Sequence, residues 1–135
     1  MWIKKPYIDN FKITSPFGER VHPITKEKKM HNGIDIAMPE GTKLYAPTSG
    51  IVGVFSDPKG YGNYISLDAV TEQGTRVQFI FAHLQKALVN SGDKVIEFQE
   101  IALSGNTGAS TGAHLHLGLK INGKFVNPVD YINFA

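Results

Sequence analysis

His114 and His116 stand two residues apart in His114-Leu115-His116-Leu117-Gly118-Leu119, the clearest apolar alternation in the chain. Alternate side chains of a strand share a face, so both imidazoles project one way and the three leucines the other. The leucines have a core to enter. The histidines are left side by side, facing solvent or a cleft, with Gly118 leaving room beside them. Imidazoles paired in this way suit a metal ion or proton transfer, and equally suit the solvated face of a half-exposed strand. A second group lies in Met30-His31-Asn32-Gly33-Ile34-Asp35-Ile36-Ala37. Asn32-Gly33 favours a turn over a helix, and the isoleucines flanking Asp35 favour a strand after that turn. Ile34 and Ile36 then point into the core, and Asp35 points to the opposite side with His31.

The two groups together are worth more than either alone. A zinc ion at a catalytic centre takes three protein ligands from His, Asp and Glu and keeps a fourth position for water. His31, Asp35 and one of His114 and His116 would supply two neutral nitrogens and one carboxylate. The ion would keep a net positive charge and lower the pKa of bound water from about 15.7 toward 7. No His-Glu-x-x-His motif is present, so a proton acceptor has to come from elsewhere. The spare histidine of the pair is one candidate and His83 is the other. His83 ends an alternation over residues 76–83 that places Val77, Phe79, Phe81 and His83 on one face, beside a cleft floored by Phe79 and Phe81.

These residues need strands to hold them, and the chain reads as strands. Fourteen Gly and seven Pro punctuate it at short intervals, and no window holds a helical period over more than about ten residues. Residues 51–55 form an apolar, β-branched run that stops at Ser56-Asp57-Pro58-Lys59-Gly60. Residues 63–68 alternate, with Ile65 and Leu67 on one side. Residues 94–98 and 101–104 read as a further strand pair, and Asn127-Pro128 as the start of one terminal helical turn. The expectation is an all-β domain of one antiparallel sheet or sandwich. Residues 1–12 would be an N-terminal extension and residues 13–132 the core.

Composition removes several classes. A chain of 135 residues suits a single domain, and 41% hydrophobic against 19% charged residues is no disordered composition. A net charge of +2 is too small for nucleic-acid binding driven by counterion release. With no cysteine there is no disulfide scaffold, thiolate metal site or thiol nucleophile. No apolar stretch is long enough for a membrane helix, and the first six residues hold no run that could serve as a signal peptide.

Four blocks, in order, resemble the lysostaphin-type (LytM-like) peptidoglycan metalloendopeptidases. Phe17-Gly18-Glu19-Arg20-Val21-His22-Pro23 is similar to the opening F-G-x-R-x-H-P segment of that family. His31-Asn32-Gly33-Ile34-Asp35-Ile36-Ala37 matches its H-x-G-I-D-I-A motif. Phe81-Ala82-His83-Leu84 resembles Y-A-H-L, and residues 104–116 follow S-G-x-T-G-x-S-T-G-x-H-L-H. The resemblance implies a narrow β groove walled by loops and one zinc ion per chain held by His31, Asp35 and His116. His83 and His114 would be the catalytic pair, one accepting a proton from water and one steadying the oxyanion. It implies a monomer that cuts stem or cross-bridge peptides of bacterial peptidoglycan, acting at the cell wall as a secreted, envelope or phage-delivered protein. Arg20 and Phe81 are the residues expected to touch substrate, and His22 is expected to position a loop. Phe81 stands where the family commonly has tyrosine, and Phe98 where a hairpin glycine is usual. Two alternatives belong to other classes. One is a catalytically silent LytM-like domain that regulates wall hydrolases, which should have lost site residues; all five positions are filled. The other is a biotinyl- or lipoyl-carrier type of barrel, for which no lysine in a tight hairpin stands out.

Overall fold

Where apolar residues recur every second position, burying them on one face of a sheet leaves the intervening residues for the other face, and that division organises this chain. A computed structural model describes residues 3–21 and 23–134, so His22 lies outside the described residues. The strands are β1 (Ile3–Lys4), β2 (Ile13–Ser15), β3 (Gly18–Val21), β4 (Lys28–His31), β5 (Ile34–Ala37), β6 (Lys43–Tyr45) and β7 (Gly50–Asp57). They continue as β8 (Gly62–Val70), β9 (Arg76–Ala87), β10 (Lys94–Val95), β11 (Glu100–Ser104), β12 (His114–Ile121), β13 (Lys124–Val126) and β14 (Ile132–Asn133). One 3-10 turn at Pro128–Asp130 carries Pro128 at its start, with Asn127 accepting the Val129 N–H as its cap. No helix among the described residues is long and apolar enough to cross a membrane.

One large antiparallel sheet runs β10-β7-β8-β9-β12-β5-β2, with β13 on β12 and β11 joining β6 to β9. The all-β architecture expected from the sequence is what the chain adopts. β3 and β4 form a separate hairpin, and β1 pairs with β14 in parallel. One sheet face is dry: Ile34, Ile36, Ile65, Leu67, Phe79, Phe81, Leu115, Leu117 and Leu119 have no exposed surface. Residues 3–12 precede the sheet in sequence yet pack into it, since Ile3 and Tyr7 belong to the same buried cluster. On the other face cross-strand register sets His116 opposite Asp35 on one side and Ala82 on the other. The site is therefore built on the outer face, across β5, β12 and β9.

Three local expectations are corrected. His83 does not continue the alternation of Val77, Phe79 and Phe81. Those residues face the core, and simple alternation would bury His83 with them. Instead His83 takes a left-handed φ of 62°. Pairing with β8 shifts from Ile65↔Phe81 to Asn63↔Leu84, a bulge of one extra residue on β9. The bulge turns the imidazole to the outer face while Leu84 returns to the core with no exposed surface. Phe81 consequently floors no cleft: it is fully buried beneath the sheet and has no surface with which to touch a substrate. Residues 94–98 and 101–104 do not pair with each other. β10 pairs with β7 and β11 with β6 and β9, around a turn in which Phe98 adopts φ 70°. Phe98 tolerates this glycine-like geometry on the surface, where the Lys4 ammonium lies 4.5 Å from its ring centre.

Burial differences set the expected energetics. Leu117→Ala empties a fully buried position between three strands and should cost about 2–5 kcal/mol of unfolding free energy. Ile51→Ala, at a side chain 48% exposed on the outer face, should cost under ~1 kcal/mol. Urea unfolding of both variants checks the assignment of faces.

Candidate metal centre

The centre is assembled from two antiparallel strands and the end of a hairpin. Asp35 and His116 face each other across the β5–β12 ladder, with His116 Nδ1 3.0 Å from Asp35 Oδ1. His31 ends β4, and the Asn32-Gly33 link brings its Nε2 to 3.3 Å from the same carboxylate oxygen. One ligand atom from each of His31, Asp35 and His116 lies within 4.8 Å of the other two. Both imidazoles are buried, and Asp35 is partly open to solvent on the side where Arg20 Nη2 stands 3.9 Å from Oδ2. Burial would raise the Asp35 pKa, but hydrogen bonding and charge interactions with His116 and His31 outweigh it. The carboxyl stays ionised, far below its usual range.

Hydrogen bonding shows what these groups lack. His31 Nδ1 is 2.8 Å from the Pro16 carbonyl, which only accepts, so the proton sits on Nδ1. In the neutral ring His31 Nε2 would turn a lone pair toward a carboxylate oxygen, a contact that either a proton on Nε2 or a cation between the two relieves. His116 Nε2 is buried and has no partner among the described residues. If Nδ1 of His116 donates to Asp35, a lone pair is stranded on Nε2; if it does not, its own lone pair joins the other two. A divalent cation among the three groups would balance this concentration of lone pairs, and a two-nitrogen, one-carboxylate set suits zinc. The residues present fit the ion.

Close packing holds the His116 ring. A Cβ on Gly33 would lie 2.6 Å from the Leu117 carbonyl and 2.8 Å from His116 Cε1, so only glycine lets this link lie against the strand. Tyr61 stacks on the imidazole, with ring centres 5.4 Å apart and planes 28° apart. Tyr64 supports Tyr61 edge-on at 5.2 Å.

His83 and His114 complete the group, with ring centres 4.8 Å apart. Each is oriented by a backbone carbonyl. His83 Nδ1 donates to Thr107 O at 2.7 Å, and His114 Nδ1 donates to Gly112 O at 2.8 Å. In the neutral form of each ring Nε2 then carries the lone pair, and that of His114 is 3.7 Å from Asp35 Oδ1. The loop carrying Thr107 is itself pinned: Thr107 Oγ1 donates to Leu84 O at 2.6 Å and accepts the Asn63 N–H at 3.1 Å. Gly62 and Gly108, at φ 66° and 76°, make this docking possible, because a Cβ on either would strike the other segment's backbone. Burial lowers the His83 pKa and the neighbouring His114 and His116 lower it further, against the opposing Thr107 hydrogen bond and Asp35 charge. The balance favours the neutral form of His83.

Five residues singled out from the sequence, His31, Asp35, His83, His114 and His116, meet in one place. Arg20 stands at its edge on Asp35, and Phe81 is absent from it. Tyr61, Gly33 and Thr107 were not anticipated. Their signals were weak, since an aromatic before a glycine and a Gly after an Asn read first as turn chemistry.

Comparison with known proteins agrees with this geometry. The pattern of peptidase family M23 matches residues 29–128. The peptidoglycan DD-endopeptidase ShyA of Vibrio cholerae is 42% identical over 123 residues, which are 90% of this chain and 28% of ShyA. A zinc-containing peptidase from Vibrio cholerae superposes with a TM-score of 0.80 at 34% identity, over 94% of this chain and 39% of that one. The catalytic domain of lysostaphin from Staphylococcus simulans gives 0.76 at 32% identity, over 90% and 91%. The chain spans 24–33% of the length of the curated relatives it matches. On the family pattern and these identities, the chain belongs to peptidase family M23.

Proposed function

We propose that this chain is a zinc-dependent endopeptidase that hydrolyses stem or cross-bridge peptides of bacterial peptidoglycan, and that it acts at the cell wall. The observation that carries the reading is the convergence of His31, Asp35 and His116 beside two further histidines whose Nδ1 protons are tied to carbonyls. It is supported by membership of a peptidase family and by relatives named as peptidoglycan endopeptidases and zinc peptidases. His31, Asp35 and His116 would hold the ion. Zinc bound there supplies a Lewis acid that polarises a peptide carbonyl and acidifies water. The remaining chemistry falls to the chain's own groups. The Nε2 lone pairs of His83 and His114 face the same space, so either can take a proton from attacking water. Once protonated, an Nε2–H can donate to the developing oxyanion or to the leaving amine. Arg20, on the solvent side of Asp35, is placed to meet an anionic group of the substrate or to steady Asp35. All five groups come from one chain, and the working unit is read as a monomer. A silent regulatory domain would have no need of this complete set.

The purified chain should hold about one zinc, and chelation should abolish clearing of a cell-wall suspension. His31→Ala and Asp35→Ala should lose the metal by elemental analysis. His83→Ala and His114→Ala should retain it while turnover falls roughly 10²–10⁴-fold. Metal loss in His114→Ala would overturn the ligand assignment. A second expectation concerns pH. A depressed His83 pKa keeps the proton-accepting form populated on acidification, so the acid limb of kcat/KM should lie below the ordinary histidine value of 6.5. An acid limb above that value would remove His83 from the role.

A further inference from the structure

The outer face of the sheet continues well past the histidines. Register places Lys120 opposite Gln78, Gln78 opposite Asp68 and Asp68 opposite Ile51, in one row on the same face as His116 and Ala82. Lys120 is four residues beyond His116 on β12, about 13 Å at the rise of a strand. Between the two rows the floor is Gly118, Ile80 and Ser66; Ile80 is only 7% exposed and the Phe125 ring packs against Gly118, its edge 3.5 Å from where a Cβ would stand, so a chain running from one row to the other crosses over Phe125. At the far row an open depression of about 920 Å³ is lined by Arg76, Lys94 and Lys120.

The charges in that depression are unbalanced. None of the three cations forms an ion pair with a described residue. The single lining carboxylate, Asp68, accepts a hydrogen bond from Gln78 Nε2 at 2.7 Å. The Lys120 ammonium is steadied over the Phe125 ring at 4.7 Å. Val70 and Ile51, 67% and 48% exposed, add an apolar rim. Three spaced cations around one acid and an aliphatic edge suit a single carboxylate on a peptide better than a polyanion, whose phosphates would meet Asp68 repeatedly. An extended chain advances about 3.3–3.6 Å per residue, so a peptide lying on this face from the metal centre reaches the depression after roughly four residues.

We propose that this depression is a second binding subsite. It would take a carboxylate of the same peptide whose scissile bond lies at the metal centre, through Arg76, Lys94 and Lys120. The proposal rests on the peptidase reading and names the feature of the substrate that the chain selects: an anionic group about four residues from the bond cut.

The test uses the zinc-loaded chain and a cross-linked muropeptide dimer, in one arm with its stem carboxylates free and in the other with them amidated. Titration calorimetry should show the free acid binding about fivefold tighter at low ionic strength, with the preference shrinking as salt is added. The double variant Arg76→Gln/Lys120→Gln should bind both forms alike, and Lys94→Gln, on the short edge strand, should lose part of the preference. A control of equal charge loss on another surface, Lys12→Gln/Lys86→Gln, should keep it. Equal binding of the two forms by the unchanged protein, or a preference that survives Arg76→Gln/Lys120→Gln, overturns the subsite. Cleavage of both dimers is followed in parallel. Preference without cleavage overturns the peptidase reading and leaves the subsite standing, whereas cleavage without preference does the reverse.

Discussion

The site depends first on one cross-strand pair. Asp35 and His116 are directly opposed in the β5–β12 ladder, and their side chains meet at 3.0 Å because their backbones are locked in that register. A slip of one residue would turn Asp35 into the core and bring Ile34 or Ile36 to the outer face. The leucines and isoleucines behind the pair prevent this. Ile34, Ile36, Leu115 and Leu117 have no exposed surface, so the register that opposes His116 to Asp35 is also the one that buries four large aliphatic side chains. Burial of the core and assembly of the metal centre are the same event.

The remaining site groups hang on backbone rather than on one another. Three imidazoles, those of His31, His83 and His114, give their Nδ1 protons to the carbonyls of Pro16, Thr107 and Gly112. A carbonyl that accepts at Nδ1 selects the tautomer, leaving each Nε2 as a lone-pair donor toward the centre of the site. His116 is the exception, presenting Nδ1 to Asp35 and leaving Nε2 buried without a partner. Its ring is fixed instead by packing against the Gly33 link and the Tyr61 ring. The fixed tautomers make the site a preorganised array, one that needs little rearrangement to hold an ion and pass a proton.

The same outer face that carries the histidines continues to a cationic depression at the other end of β12, β9 and β8. Both ends are written into one alternation: His114, His116, Gly118 and Lys120 are successive outer-face residues of a single strand. A substrate laid along the sheet would meet the metal centre, then Ile80 and the Phe125 ring packed against Gly118, then unpaired positive charge. Selectivity and chemistry are in this way separated along the strand.

Much of this was legible in the chain itself. The two-residue period of residues 114–119 decides that both histidines share a face opposite the leucines, and Asn32-Gly33 before Ile34 decides that Asp35 lies on a strand after a turn. Absence of cysteine and a scatter of histidines decide the kind of metal chemistry available. Two things were not legible, for physical reasons. Alternation placed His83 with Phe79 and Phe81, whereas the fold spends a left-handed residue and a bulge to bring it to the other face; a bulge is set by pairing with β8 and by the Tyr61 carbonyl, which receives its N–H. The subsite residues Arg76, Lys94 and Lys120 lie 18 and 26 positions apart in sequence, and only strand register brings them to one place. Local spacing determines which face a residue takes. Which residues from distant strands share that face, and which carbonyl orients each imidazole, is decided by long-range pairing alone.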